Sequence, residues 1–161
     1  MKTISASWFR QPLQAGAAAV LLAPVACAQL PPTAAIAIPP IPPGEARVWF
    51  YREYEPYVNL ERPFIRMNET IVATSEPGGA SYRDVPAGQY HITVESYGTD
   101  FNQSKQVYLY PGQELYVKIV SLQNWVGTNW RGFQRETNYV WLVPPEIARI
   151  DVARSPFYGG G

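Results

Sequence analysis

The chain has one cysteine and one histidine in 161 residues, and these two shortages remove most familiar chemistry. With Cys27 alone, no intrachain disulfide can form and the folded part has no cysteine-based metal or catalytic site, so stability must rest on packing. Charge of one sign is also lacking: 13 basic residues balance 13 acidic ones, with no basic run or acidic tail. That balance argues against nucleic acid as a partner. Gly78-Gly79 is not followed by a helix and lysine, and no alternating run of acids ends in glutamate, so neither a phosphate loop nor a calcium loop is present. No motif calls for a cofactor.

What is there begins with a segment of exported type. Lys2 and Arg10 precede an apolar run from Ala15 to Ala23, which is shorter than the ~20 residues needed to span a bilayer. Two outcomes compete at its end. Ala26-Cys27-Ala28 is a cleavage site that would leave Gln29 first, whereas Val25-Ala26-Cys27 has the form of a lipobox, with Pro24 in place of the usual leucine. A membrane enters only through that lipid anchor at Cys27. Beyond residues 1–28 the chain carries 11 basic and 13 acidic residues, an ordinary soluble surface.

Residues 29–45 form a Pro-rich linker, with six prolines and no charge between Gln29 and Gly44. Proline at that density forbids helix and central strand, and a polyproline II spacer of this length would reach roughly 50 Å. Residues 46–143 then alternate apolar and polar between turns. Strands are predicted near 46–52, 63–67, 70–74, 80–84, 89–96, 104–110, 114–122 and 138–143, punctuated by Asn68-Glu69, Glu76 to Gly79, Val85 to Gly88, and Tyr110 to Gln113. Short strands at this spacing, with no helical pattern between them, predict an all-β fold: a single antiparallel β-sandwich, prealbumin-like or Ig-like, of about seven to eight strands. Residues 144–161 supply a short C-terminal helix, with Pro145 in its first turn and Ile147, Ala148, Ile150 and Val152 as a thin apolar stripe. A flexible tail at Gly159 to Gly161 completes the chain.

Alternation also assigns faces. Tyr90, Ile92 and Val94 point one way and His91, Thr93 and Glu95 the other. A three-residue loop at Pro111 would gather Val107 and Leu109 with Leu115, Val117 and Ile119. Tyr108, Tyr110, Tyr116 and Lys118 would then lie on the opposite side. With Val48 and Phe50 inward, Arg47, Trp49 and Tyr51 join them, and one sheet would show an aromatic outer face.

The order of these parts carries a resemblance: Ala46 to Arg52 opening the domain, the strand pair at 63–74, Asp84 to Val94, Tyr110 to Ile119, and Trp141 to Pro144 before the helix. Over about residues 45–150 the chain resembles the bacterial exported domain of unknown function 2846. The resemblance implies a β-sandwich of the Gram-negative cell envelope, periplasmic or associated with the outer membrane, secreted or lipidated, with no catalytic residues to transfer. Two local departures are the Asn68-Glu69 hairpin tip and the long tryptophan-rich loop after Leu122.

Two groups of aromatic residues are the binding candidates. In the loop from Gln123 to Arg135, Trp125, Trp130 and Phe133 stand among Asn, Gln and Arg, a set suited to stacking a sugar or anchoring a protein, and equally to plugging the end of a sandwich. The second group is Trp49, Tyr51, Tyr108, Tyr110 and Tyr116, over which Arg47 and Lys118 could lie, unless the C-terminal helix or the Pro-rich segment covers them. Catalysis is not expected. His91 alternates outward without an adjacent acid, and Glu53, Glu55 and Glu61 read as solvated loop carboxylates. The expected role is a non-enzymatic structural or protein-interaction module with an envelope protein as partner, or alternatively a glycan- or peptidoglycan-binding accessory module.

Overall fold

The computed structural model describes residues 29–58, 61–126 and 133–161. Strand β1, Glu45–Tyr51, shows how the alternation is used: Ala46, Val48 and Phe50 face the interior while Arg47, Trp49 and Tyr51 face the other way, and all six are buried. A strand buried on both faces needs a layer on each side. The other strands are β2 (Phe64–Met67), β3 (Thr70–Thr74), β4 (Ala80–Pro86), β5 (Gly88–Val94), β6 (Ser104–Leu109), β7 (Glu114–Val126), β8 (Phe133–Leu142) and β9 (Phe157–Gly160). Helix α1 spans Pro145–Arg154. They form two sheets, ordered β8-β7-β1-β4-β9 and β3-β2-β5-β6. Between the sheets lies one aliphatic core of Val48, Phe50, Ile65, Ile92, Leu109, Val117, Ile119 and Val140.

The β-sandwich expected from the sequence is present, with two corrections. The four-stranded sheet is antiparallel throughout, but in the five-stranded sheet β1 runs parallel to β7 and β4 parallel to β9. The described residues form nine strands, because Phe157–Gly160, which takes in part of the tail expected to be flexible at Gly159 to Gly161, forms β9 against β4. Glycine is what admits it there: a Cβ on Gly160 would lie 2.0 Å from the Tyr82 ring.

The turns at Val85–Gly88 and Tyr110–Gln113 prove to be corners that pass the chain between sheets, since β4 and β5 belong to different sheets, as do β6 and β7. The face assignment at Pro111 survives although the strands do not pair: Leu109, Val117 and Ile119 are all buried in the core, with Val107 and Leu115 packed against it. At the first corner the Tyr90 hydroxyl donates to the Pro86 carbonyl at 2.8 Å, tying β5 to the end of β4. The hairpin between β2 and β3 turns on Asn68 and Glu69, both with positive φ. Asn68 is stabilised there because its Oδ1 accepts the His91 backbone N–H at 2.8 Å.

One end of the sandwich is polar. Arg52 and Glu136, both almost wholly buried, pair at 2.6 Å, and the same guanidinium donates to the carbonyls of Val58 and Glu61. Beside them Ser121 donates to Asn138 Oδ1, and Asn138 donates from its side chain to the Glu95 carbonyl and from its backbone to Ser96 Oγ. Asn102 accepts from the Val140 N–H, so the loop after β5 seals the outer edge of β8.

Candidate functional site

The aromatic face assigned from sequence divides between the two sheets. Trp49, Tyr51 and Tyr116 lie on the outer side of the five-stranded sheet and are buried with Tyr82 beneath Ala148 and Val152 of α1. Trp49 lies parallel to Tyr116 at 6.4 Å and tilts against Tyr82 at 5.1 Å. Ile38 and Phe157 complete this second core. Only one side of the predicted helical stripe is used, since Ile147 and Ile150 are exposed.

The Pro-rich segment contributes to the cover instead of standing away from the domain. The Thr33 N–H and hydroxyl both donate to the Ser155 carbonyl, the Phe157 N–H donates to Pro31, and Arg47 donates to the Pro39 carbonyl at 2.8 Å. Arg47 also makes two bonds to Asp84, at 2.7 and 2.6 Å, and its guanidinium sits 4.1 Å from the centre of the Tyr82 ring. The predicted cation over this aromatic face is therefore Arg47 alone, because Lys118 pairs with Glu53 at 2.5 Å.

Tyr108 belongs to the other sheet. It is 58% exposed and meets Tyr110, 63% exposed, with ring centres 5.0 Å apart. In register, Tyr108 stands opposite Gln89 and Gln106 opposite His91, on the outer face of the four-stranded sheet. Neither α1 nor the short 3-10 helix at Thr33–Ala35 packs on that face. It therefore stays open, an exposed surface of aromatic rings, amides and the imidazole, bordered by Phe64 and Arg66. His91 does have an acidic neighbour, with Glu69 4.0 Å from Nδ1, but both side chains are exposed.

Of the loop candidates, Trp125 and Phe133 fall within β7 and β8, which extend the ladder well past Leu122 to the pair Val126 and Phe133. Trp130 lies outside the described residues. The loop carboxylates do not converge: Glu53 goes to Lys118 and Glu61 approaches Arg135 at 3.9 Å. Among the described residues no group of three or more His, Cys, Asp or Glu is placed to hold a metal ion.

A feature missed in the sequence is the cleft of about 490 Å³ between β3 and β9. Its walls include Ile71 to Thr74 and Tyr158 to Gly160, and Ser81 and Arg83 of β4 also line it. Arg83 occupies an inward register position opposite Val48, where an apolar side chain would be expected. The inward positions of β4 are Ser81, Arg83 and Val85, and two polar residues among those three were the signal available in the sequence that this part of the strand does not face a closed core.

Two carboxylates tie surface groups together. Glu95 titrates below its ordinary 4.5 because it accepts from Arg66 and from the Phe64 N–H, which outweighs its slight burial. For Glu114 burial acts upward, yet bonds from Arg149 and Tyr116 bring it below 4.5 as well. A carboxylate with a lowered folded pKa stabilises the fold fully above its unfolded value, and that contribution is lost as pH falls through the folded value. The denaturation midpoint should thus hold between pH 7 and 5 and decline below about 4.5, and Arg66→Gln with Arg149→Gln should flatten the decline. An unchanged acid profile in the double variant would remove these two pairs as its cause.

The fold and surface define a class: a two-sheet β-sandwich with one outer face sealed by a helix and an N-terminal arm, and the other left open. The chain matches no family model and no curated protein sequence.

Proposed function

We propose that the chain is a non-enzymatic recognition module of the bacterial cell envelope, exported by its N-terminal segment and engaging a protein partner through the open face of the four-stranded sheet. The observation that supports this reading is the inequality of the two outer faces. One aromatic set, around Trp49 and Tyr116, is spent on packing, while Tyr108 and Tyr110 remain exposed where no described element covers them. Tyrosine pairs supply large contact area at low entropic cost, which suits an interaction surface. The resemblance to the envelope family over residues 45–150 points the same way.

A glycan partner is the second reading, favoured by the planar amides of Gln89 and Gln106 beside Tyr108 and His91, which could hydrogen-bond hydroxyls next to a stacking ring. Photo-crosslinking separates the two readings. A photoreactive residue at Tyr108 in the native host should give a discrete protein adduct, whereas one at exposed Ile147 on the opposite side should not. Muropeptides that shift the amide resonances of Gln89 and Gln106, without any adduct, would support the glycan reading. Neither adduct nor shift would sink the assignment of this face.

A further inference from the structure

The polar end of the sandwich carries a pocket apart from the open sheet face. Residues 61–63 from the segment before β2, residues 95–97 from the segment after β5, and Arg135 of β8 surround about 310 Å³ there. What holds these walls is buried. Arg52 donates to the Glu61 carbonyl at 2.9 Å, and Asn138 donates to the Glu95 carbonyl and to Ser96 Oγ, both at 2.9 Å. The Tyr97 N–H reaches the Glu136 carbonyl at 3.4 Å. Arg52, Glu136 and Asn138 are almost wholly buried. Polar groups at that depth cost desolvation beside an aliphatic core, and what they secure is the placing of two irregular segments around one pocket.

The lining selects what fits. Glu61 and Glu95 are balanced in number by Arg62 and Arg135, and each of the four already faces an opposite charge, Arg62 through Glu76 and Glu95 through Arg66. A pocket without net charge gives an ion of either sign no net attraction and suits a neutral group that both donates and accepts. Arg135 Nη1 and Glu61 Oε1 are 3.9 Å apart, too far for a direct hydrogen bond. One hydroxyl can bridge them, accepting from the cation and donating to the carboxylate. Ser96 Oγ accepts from the Asn138 N–H and from Gln103 Nε2, and among the described residues nothing takes its own proton. Tyr97 is 43% exposed, with the Arg135 guanidinium 5.2 Å from its ring centre. That contact steadies a flat apolar ring beside the polar groups.

We propose that this pocket binds a neutral saccharide, one sugar ring lying against Tyr97 and its hydroxyls bridging Glu61 to Arg135 and accepting from Ser96. A sugar ring presents C–H bonds on its face and hydroxyls around its rim, which matches an aromatic plane edged by paired charges. The volume lies at the lower end of the range for small-molecule sites and so limits the ligand to a short saccharide. The pocket takes no part of the Tyr108 surface, so it is a site additional to either reading of the open face.

An amide NMR titration of the full chain tests this. The probes are glucose, galactose, mannose, N-acetylglucosamine, cellobiose and chitobiose, with glucuronate, glucosamine and glycine as charged comparisons. At least one neutral sugar should shift the resonances of Ser96, Tyr97 and Arg135 while those of Gln89 and Gln106 stay in place, and each charged probe should bind more weakly than that sugar. Tyr97→Ala should weaken the binding about fivefold and Glu61→Gln about tenfold, while Tyr97→Phe keeps most of it and exposed Ile150→Ala keeps all. Each variant is checked for an unchanged denaturation midpoint. No shift with any neutral sugar at about 50 mM, tighter binding of a charged probe, or undiminished binding in both Tyr97→Ala and Glu61→Gln would overturn the proposal. Shifts confined to Gln89 and Gln106 would overturn it too and would favour the glycan reading of the open face instead. A protein adduct at Tyr108 depends on none of these outcomes, so the two assignments fail separately.

Discussion

Replacing Arg52 with alanine is expected to lower the unfolding free energy by about 3–5 kcal/mol, measured by urea denaturation at pH 7. Arg52 and Glu136 are 3% and 1% exposed, so removing the cation leaves a carboxylate buried without its 2.6 Å partner. Arg52 also ties down the loop after β1 through the carbonyls of Val58 and Glu61, which would lose their donor together. The pair itself need not be stabilising relative to an apolar one, because both ions were taken out of water to form it. Replacing both, as Arg52→Met with Glu136→Leu, should therefore recover most of the loss. If Arg52→Ala alone cost under about 1 kcal/mol, the site would be wetter than its burial indicates.

Trp49→Ala should cost a similar amount, about 3–5 kcal/mol, without weakening any contact made through Tyr108. Trp49 is 5% exposed and fills the space between Tyr116, Tyr82 and the underside of α1. Alanine would leave a cavity where an indole had been, beneath a ten-residue helix that buries only Ala148 and Val152. Beyond those two side chains the helix is held by Arg149, which bonds Glu114 and the Tyr116 hydroxyl beside the lost indole, so the far-UV helical signal should soften before the sheets unfold. Trp49→Phe, which keeps most of the volume, should cost much less. A well-folded alanine variant with altered partner binding would return Trp49 to the list of contact residues.

Strands and turns were legible because the alternation of inward and outward residues is local: Ile92 and Val94 report their face within one strand. That Trp49, Tyr51 and Tyr116 point away from the aliphatic core was legible too, but the single aromatic face expected with Tyr108 and Tyr110 was not, since Tyr108 belongs to the other sheet. What alternation cannot carry is which sheet a strand joins. Tyr108 and Tyr116 occupy similar patterns eight positions apart, yet the corner at Pro111 sends them to different sheets, one open and one covered. The parallel pairs β1-β7 and β4-β9 are likewise set by non-local packing. β9 was hidden for a further reason. Its glycines read as a fraying tail, yet Gly160 is the residue that permits close approach to the Tyr82 ring. The cleft depends on β9, so polar Ser81 and Arg83 at inward positions of β4 hinted at an opening without locating it. In the Pro-rich segment, proline did rule out a central strand, but Thr33–Ala35 still forms one 3-10 turn, and a largely irregular segment can dock when partners such as Ser155 and Arg47 meet its backbone.

That docking changes how far the domain can stand from whatever holds its N-terminal side. A spacer with a reach of roughly 50 Å would let the sandwich tumble and sample every orientation. The segment is instead folded back along the body, and its length is used up by Thr33, Pro39 and the start of β9. A tether placed upstream of Gln29 would consequently act as a short stem fixed to one side. It would hold α1 toward the point of attachment and turn Tyr108 and Tyr110, on the far sheet, outward like the working face of a mounted tool.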